Sequence, residues 1–196
     1  MTPGAPHPPS PLEIDRHVAR TSDGWGLALK RTLAPERFSS RRRPVLIIPG
    51  YGMNSFIFGF HPRGTSMERC LAEAGFEVWS ADLRLSGRSR PLFGDDTGRP
   101  PGPSIATYAG IDLPALVETV LAGSRTHAPR LDLIGCSLGG SIAYAHLALR
   151  PDTPVHALCT VSAPFRFTTI HPAVRAAFSS TWLAERLVIR GVRPLA

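Results

Sequence analysis

The sequence predicts an α/β fold in which helices cover both faces of a doubly wound, mostly parallel sheet. The first observation is the order of segments, a hairpin followed by strands and helices in alternation with short connections. The second is that the strand segments are apolar at consecutive positions, which is typical of strands buried on both faces. In such a sheet reactive groups gather beyond the carboxyl ends of the strands, so candidate functional residues are expected there.

Length and composition fit one domain with a core of its own. The chain has 196 residues, of which 43% are hydrophobic and 19% charged, and these proportions exclude a collagen, a coiled coil and a disulfide scaffold. The formal net charge of +7 comes almost entirely from arginine, because Lys30 is the only lysine. The arginines are scattered among predicted loops, apart from the run 41–43, so we expect no nucleic-acid partner.

The cysteines indicate a reducing compartment. Cys70, Cys136 and Cys159 lie in apolar segments and are predicted to be buried free thiols, so we expect a cytoplasmic protein. No spacing of cysteine and histidine resembles a metal-ligand set, so neither a metal nor another cofactor is predicted. No apolar run approaches the roughly 18 residues needed to cross a bilayer, so we predict no membrane span.

Three regions are predicted along the chain. Residues 1–17 are expected to form a disordered arm, because its five prolines oppose a helix or a paired strand. The arm has no charged start followed by an apolar stretch, so it does not resemble a secretory signal. Residues 18–165 are expected to form the core. Residues 166–196 carry apolar side chains at helical spacing and are predicted to form an amphipathic helical tail.

The predicted strands are short. Residues 18–33 are expected to form a hairpin, since Asp23-Gly24 is typical of tight turns. Residues 45–48 are wholly apolar and are followed by Pro49-Gly50, which ends the strand. The remaining predicted strands are 76–81, 131–134 and 155–161.

Helices are predicted between these strands. Residues 66–74 have helical composition and stop at Gly75, and residues 113–121 carry apolar side chains at spacings of three and four. A helix of small residues is expected from 138 to about 149. Residues 84–103 are rich in glycine, proline and arginine and are predicted to be a long loop.

One serine lies where a predicted strand turns directly into a helix. Within residues 135–140, GCSLGG, the turn is so sharp that side chains at Gly135 and Gly139 would collide with neighbouring backbone. Ser137 would project from this turn with its hydroxyl exposed beside the positive end of the helix. We predict that Ser137 is a nucleophile; the alternative is an ordinary serine in a tight turn.

Two backbone amides are candidates for stabilising the oxyanion that forms in acyl transfer. The N–H of Leu138, at the start of the helix, supplies one donor. The glycine-rich loop 49–54 follows the first parallel strand, and the N–H of Tyr51 within it is the candidate for the second. The alternative for this loop is a turn that requires its glycines and nothing more.

These segments together resemble the α/β-hydrolase superfamily, on the lipase, esterase and acyltransferase side. The resemblance rests on residues 49–52 for the oxyanion loop, 82–89 for the loop after the next strand and 135–140 for the nucleophile turn, and it spans about residues 18–165. It implies a serine nucleophile and a small-molecule acyl ester or thioester as substrate. Pro49 stands where the family often has histidine, and this leaves the required backbone N–H in place.

The resemblance also gives neighbouring residues expected roles. It implies that Asp82 organises its own loop by hydrogen bonds, with a catalytic role as the alternative. Cys136, next to the serine, is expected to point into the core. Phe56, Phe58 and Phe60 are candidates for lining an acyl pocket, but core packing is the favoured interpretation.

The base and the acid that a serine nucleophile requires are not identified in the sequence. The family order places both after the serine, and only 59 residues follow Ser137. His146 lies about 13 Å further along the helix, and Asp152 and His156 lie at the amino end of the sheet. His171 follows the last strand, but at the point where the family inserts its cap.

The resemblance therefore covers the front two-thirds of a hydrolase. Residues 166–196 would be the start of the helical cap, and residues 155–161 would form an unpaired apolar sheet edge. We expect a second chain or a missing C-terminal part to supply the remaining strands, or the chain to be a shortened product. Two functions remain open: a serine hydrolase or acyltransferase that is inactive or incomplete in this chain, and a non-catalytic, truncated binding module.

Overall fold

The computed structural model describes residues 9–92 and 103–165. The strands in these ranges are β1 (Glu13–Arg20), β2 (Trp25–Leu33), β3 (Val45–Ile48), β4 (Val78–Ala81), β5 (Arg90–Pro91), β6 (Leu131–Cys136) and β7 (Val155–Val161). The helices are α1 (Phe56–Gly59), α2 (Met67–Glu73), α3 (Ile105–Thr107), α4 (Leu113–Gly123) and α5 (Leu138–Leu149), and a π-helical turn, Tyr108–Asp112, joins α3 to α4. The predicted tail, 166–196, and most of the loop 84–103 lie outside the described residues.

All of these strands belong to one mixed sheet. Its order is β1-β2-β4-β3-β6-β7, with β5 paired beside β2. Strands β4, β3, β6 and β7 run parallel, whereas β2 pairs antiparallel with β1, β4 and β5. Because the central strands are parallel, the loops that follow them emerge at one edge of the sheet, and the predicted α/β class is confirmed.

The core lies on both faces of the sheet. Leu46 and Ile48 of β3 belong to one buried cluster with residues of α4 and α5. Val45 and Ile47, which point the other way, belong to a second cluster with Phe58 of α1 and Ala72 of α2. This alternation explains why a strand apolar at every position is stable here, since each face of the sheet has its own cover of helices.

The first strand begins earlier than predicted. β1 starts at Glu13 rather than at Val18, so the end of the predicted disordered arm is an ordered strand. Ion pairs anchor this extension: Asp15 pairs with Arg31 on β2, and Glu13 pairs with Arg125 beyond α4. Residues 13–17 also pair with residues 29–33 of β2 in the antiparallel ladder. The extension has charged residues at Glu13, Asp15 and Arg16 and no continuous apolar pattern, which is the signal that sequence patterns detect.

The predicted burial of the cysteines is only partly correct. Cys136 is half-buried and packs against the second cluster, as expected. Cys70 and Cys159 are free thiols but are exposed, contrary to the prediction. Cys159 is on β7, which in the described part of the chain pairs with β6 alone, and its side chain alternates with Leu158, which packs against the first cluster.

One helical stretch has a length and composition that would allow it to cross a bilayer, although no such run was predicted. It extends over Ile105–Gly123 through the π-helical turn. Its apolar side is buried inside the protein, because Leu113, Leu116 and Val120 belong to the first cluster. The stretch also contains Asp112, a fully buried carboxylate paired with Arg84. The apolar side of this stretch therefore packs against the sheet as part of the core.

Candidate active site

Ser137 occupies the corner between β6 and α5 in a conformation that serine rarely adopts. Its φ is 49° and its ψ is −115°, a region that L-residues other than glycine avoid. Its N–H donates to the Val161 carbonyl at 2.8 Å, and its own carbonyl accepts from the Gly140 N–H at 3.0 Å. The hydroxyl does not cap the helix, and within the described residues it makes no hydrogen bond. The corner therefore holds a half-buried serine whose Oγ is available.

Close backbone contacts surround this corner. A Cβ on Gly139 would lie 2.4 Å from the Ile48 carbonyl oxygen, and one on Gly135 would lie 2.6 Å from the Gly140 Cα. Both distances are far below van der Waals contact, and backbone atoms cannot move aside as the tip of a side chain can. A larger residue at Gly139 would force helix α5 away from the end of strand β3, and one at Gly135 would force strand β6 away from helix α5.

The loop after β3 lies directly against the serine. A Cβ on Gly50 would be 3.2 Å from the Ser137 Cβ and 3.4 Å from the Cys136 carbonyl oxygen. The next residue is Tyr51. In the described part of the chain its backbone N–H donates no hydrogen bond, and neither does the N–H of Leu138 at the start of α5. The loop and the helix thus present two unused amide donors close to the serine.

Asp82 organises the loops on this side of the sheet. One of its carboxylate oxygens accepts from the Ser55 N–H at 2.7 Å and the other accepts from the Arg88 N–H at 2.8 Å. Ser86 in the same loop donates to the Met53 carbonyl at 2.6 Å, so the Asp82 loop is tied to the loop that carries Tyr51. These contacts confirm the expected structural role of Asp82.

The three phenylalanines do not share one environment. Phe58 is buried in the second cluster, which agrees with core packing. Phe56 and Phe60 are exposed and stack on each other with ring centroids 5.2 Å apart, so core packing was wrong for both. The segment from the loop after β3 to the end of α1 carries further exposed apolar side chains. We call the whole set the apolar rim, which comprises Tyr51, Met53, Phe56, Ile57 and Phe60.

Two histidines that follow Ser137 in the sequence do not reach it. His146 is buried; its Nδ1 donates to the Ala109 carbonyl at 2.9 Å, and its Nε2 accepts from the Thr153 hydroxyl at 2.8 Å. Burial lowers the pKa of this imidazole, so the neutral form is favoured. His156 stands at the start of β7, five residues or about 16 Å from the Val161 end that contacts Ser137.

Other candidates give no base at Ser137 either. Asp152 is exposed in the turn that precedes β7, at the amino end of the sheet. His171 lies outside the described residues. Within the part of the chain that the structure describes, no carboxylate or imidazole is hydrogen-bonded to the Ser137 hydroxyl.

A buried ion-pair network holds Arg84, two residues after Asp82, and no sequence pattern predicts it. Arg84 is almost fully buried and donates to Asp112 at 2.9 Å and to Asp23 at 2.9 Å. Its guanidinium also lies 5.3 Å from the ring centroid of Trp25. Burial raises the pKa of Asp112 against the opposing effect of Arg84. At Asp23 burial acts in the same direction, but hydrogen bonds from Arg84 and Thr21 outweigh it and lower the pKa.

Known structures share this fold. An esterase from Rhodococcus sp. ECU1013 has 21% identity and a TM-score of 0.57 over 88% of this chain and 58% of its own. An epoxide hydrolase from Vigna radiata has 16% identity and a TM-score of 0.55, and the match covers 93% of this chain and 51% of its own. A bacterial membrane phospholipase A has 19% identity and a TM-score of 0.58, and the match covers 93% of this chain and 47% of its own. The chain thus spans about half the length of each structure.

The sequence itself matches a family. No curated protein is detectably similar to the chain. Residues 43–196 match the alpha/beta hydrolase fold family, and this range includes the Gly50 loop, the Asp82 loop and the serine corner. Because the match covers most of the chain and the observed sheet has the expected order of strands and helices, the chain belongs to the alpha/beta hydrolase fold family.

Proposed function

We propose that this protein is a serine hydrolase or acyltransferase acting on an ester or thioester, with Ser137 as the nucleophile. The observation that carries the proposal is the strained corner itself, where φ is 49° and the hydroxyl is committed to no helix cap. Strained backbone is retained where the surrounding contacts enforce it, and it is concentrated at functional sites. The backbone N–H groups of Tyr51 and Leu138 are the proposed oxyanion donors.

In the proposed reaction the Ser137 Oγ attacks the acyl carbon of the substrate. The carbonyl oxygen becomes an oxyanion, and the two amides stabilise that charge by hydrogen bonds formed as it develops. Collapse of the tetrahedral intermediate expels the alcohol or thiol and leaves the acyl group on Ser137. Water in a hydrolase, or an acceptor alcohol or amine in an acyltransferase, then releases the acyl group.

Proton transfer is the step that the described residues leave open. The Ser137 proton must pass to a base and then to the leaving group, and the described residues place no base at the hydroxyl. Loss of the base costs several powers of ten in rate. We therefore expect slow turnover unless His171, a further segment or a second chain supplies the base and its acid.

The apolar rim supports an acyl substrate. Tyr51 and Met53 belong to the loop that carries the proposed oxyanion donor, and Phe56 begins helix α1 directly after it. All three side chains are exposed. Exposed apolar side chains that are concentrated in one short segment are typical of a binding surface. A small-molecule ester with an apolar acyl chain fits this surface, and two of the structures that share the fold are an esterase and a phospholipase.

A non-catalytic binding module is the second candidate. The observation in its favour is that the buried His146, on the same helix as Ser137, already uses both ring nitrogens elsewhere. This candidate predicts that the apolar rim binds a ligand and that Ser137→Ala leaves binding and all other properties unchanged.

Labelling with an alkyl fluorophosphonate separates the two candidates. We expect slow covalent labelling of the folded protein, mapped to Ser137 by peptide mass spectrometry and abolished by Ser137→Ala. Ser141→Ala is the matched control, because Ser141 is one helical turn further on and its hydroxyl is already engaged with the Pro164 carbonyl at 2.9 Å. Labelling that persists in Ser137→Ala, or no labelling of folded protein over many hours, would reject the nucleophile.

A further inference from the structure

A cluster of basic side chains lies on one face of the antiparallel part of the sheet. Arg16 on β1 is directly opposite Lys30 on β2, and Arg20 on β1 is opposite Gly26. Gly26 is also opposite Arg90 on β5, so two arginines flank a residue that has no side chain. Directly opposed residues in antiparallel strands project from the same face, so these basic groups share one side of the sheet.

The same face contains a cavity, which we call the basic cleft. Its volume is about 360 Å³, and its lining includes Arg16, Arg20, Arg88 and Arg90. An adjoining cavity of about 320 Å³ shares Arg16 and Arg88 with it and extends to Asn54 and Phe56. Gly26, Val18 and Leu92 also line the basic cleft between the flanking arginines.

The charges in the basic cleft are not compensated within the described residues. The side chains of Arg16, Arg20, Arg88 and Arg90 make no ion pair or hydrogen bond there. The fifth cation, Lys30, is bound to Glu68 at 2.9 Å. Five arginines elsewhere in the fold, in contrast, each have a carboxylate partner, namely Arg31, Arg43, Arg69, Arg84 and Arg125.

The single carboxylate in the lining does not neutralise the arginine side chains. Asp82 lines the cavity, but its two oxygens accept from the backbone N–H groups of Ser55 and Arg88. Like charges that face one another on a sheet destabilise it. A concave group of four guanidinium groups that have no counter-charge among the described residues is therefore suited to bind an anion.

We propose that the basic cleft binds the phosphate group of a phosphate ester or pyrophosphate ligand. A guanidinium presents several N–H donors in one plane and pairs with phosphate oxygens through two hydrogen bonds at once, and several such groups match a doubly charged tetrahedral anion. Val18 and Leu92 supply an apolar wall over Gly26, since a Cβ on Gly26 would lie 3.0 Å from Val18 and 2.7 Å from Leu92. This wall would contact the organic part of the ligand.

The proposal is independent of the chemistry assigned to Ser137. The cleft is built from β1, β2, β5 and the Asp82 loop, and none of its lining residues belongs to the serine corner or to residues 49–52. The cleft meets the loops beside the serine corner at Ser55 and Asp82, which share a hydrogen bond, and the adjoining cavity reaches Phe56 of the apolar rim. Loss of labelling at Ser137 would therefore leave anion binding unaffected.

Calorimetric titration of the whole chain with pyrophosphate tests the proposal. At low ionic strength we expect saturable binding of one pyrophosphate, weakened at least tenfold in the double variant Arg16→Gln/Arg88→Gln. The matched control is Arg37→Gln/Arg41→Gln, which removes the same two charges from exposed arginines outside the cleft. Equal weakening by both double variants, or no saturable binding by the unchanged protein, would overturn the proposal.

A second arm identifies the source of the phosphate group. We would measure how much protein floats with phosphatidylcholine vesicles, comparing vesicles with and without phosphatidic acid. Each measurement would be repeated in the presence of pyrophosphate. Retention that requires phosphatidic acid and that pyrophosphate displaces assigns the cleft to a lipid headgroup. Pyrophosphate binding without vesicle retention assigns it to a soluble phosphate ester.

Because the four substituted arginines are exposed, all variants should unfold at the temperature of the unchanged protein, which checks that folding is intact.

Discussion

At the scale of single residues, the backbone around Ser137 holds it in a conformation that is unfavourable for serine. The corner conformation costs serine on the order of 1–3 kcal/mol. Contacts on both sides offset this strain, because the Val161 carbonyl accepts from the serine N–H and the Gly140 N–H donates back to its carbonyl. The fold thus keeps at position 137 a residue that is unfavourable for stability, which is expected where the side chain has a chemical role.

This strain can be measured by substitution. Glycine adopts positive φ without a steric penalty, whereas alanine keeps the penalty and loses only the hydroxyl. We expect Ser137→Gly to have a free energy of unfolding about 1 kcal/mol higher than Ser137→Ala, as measured by urea denaturation. Equal values for the two variants would show that the corner is relaxed.

At the scale of elements, the corner requires close approach of β3, β6 and α5. Gly139→Ala would place a methyl group 2.4 Å from the Ile48 carbonyl oxygen. Overpacking against backbone typically costs about 1–3 kcal/mol, occasionally more. We expect a loss of free energy of unfolding at the upper end of this range, together with loss of labelling at Ser137.

Gly110 provides the matched control for this substitution. It lies in the π-helical turn, and a Cβ there would have no heavy atom within 4 Å. We expect Gly110→Ala to leave labelling unchanged and to stabilise the fold by up to about 1 kcal/mol, since alanine favours helix over glycine. If both glycine variants lost similar stability, close packing at the corner would not be the reason.

A second element-level prediction concerns His146, which connects α5 to the π-helical turn and to Thr153. Burial lowers its pKa below the ordinary 6.5, and the hydrogen bond to Ala109 only partly opposes that effect. As the pH falls through 6.5, the unfolded chain gains a proton that the folded protein resists, so the free energy of unfolding should decrease. The slope for one proton is at most about 1.4 kcal/mol per pH unit.

Comparison with His146→Asn isolates this contribution. Asparagine keeps an N–H donor near the Ala109 carbonyl but does not titrate. His17, whose pKa burial also lowers, is present in both proteins, so its effect cancels in the difference. The two stability profiles between pH 5 and pH 8 should converge as the pH falls, and parallel profiles would contradict the assignment.

At the scale of the whole molecule, the sequence predicted those parts of the fold that follow from apolar patterns. Residues 45–48 form the expected strand, and all four side chains are buried. Residues 138–149 form the expected helix, and its small and apolar residues, such as Ile142 and Ala143, are buried against the sheet. The start of β1 and the Arg84 network were not predictable in this way. Both depend on contacts between residues distant in sequence, such as the pairing of residues 13–17 with β2 and of Arg84 with Asp112, and no local pattern predicts such contacts.

The candidate site was predictable for a related reason. Glycines two residues before and two residues after a serine, between an apolar strand and a helix, are typical of a sharp strand-to-helix turn. The corner at 135–140 could therefore be predicted from the sequence. The apolar rim was not, since exposure of Phe56 and Phe60 depends on how a short helix, α1, turns them outward. The unpaired charges of the basic cleft were also hidden, because cross-strand register decides which arginines share a face.

The crystal structure of a fluorophosphonate adduct would show directly whether Ser137 is the nucleophile and whether Tyr51 and Leu138 supply the oxyanion donors. We predict phosphorus bonded to the Ser137 Oγ, with one phosphoryl oxygen about 2.7–3.1 Å from the backbone nitrogens of both Tyr51 and Leu138. An adduct on another residue, or a phosphoryl oxygen that contacts neither amide, would contradict the assignment of nucleophile and oxyanion donors.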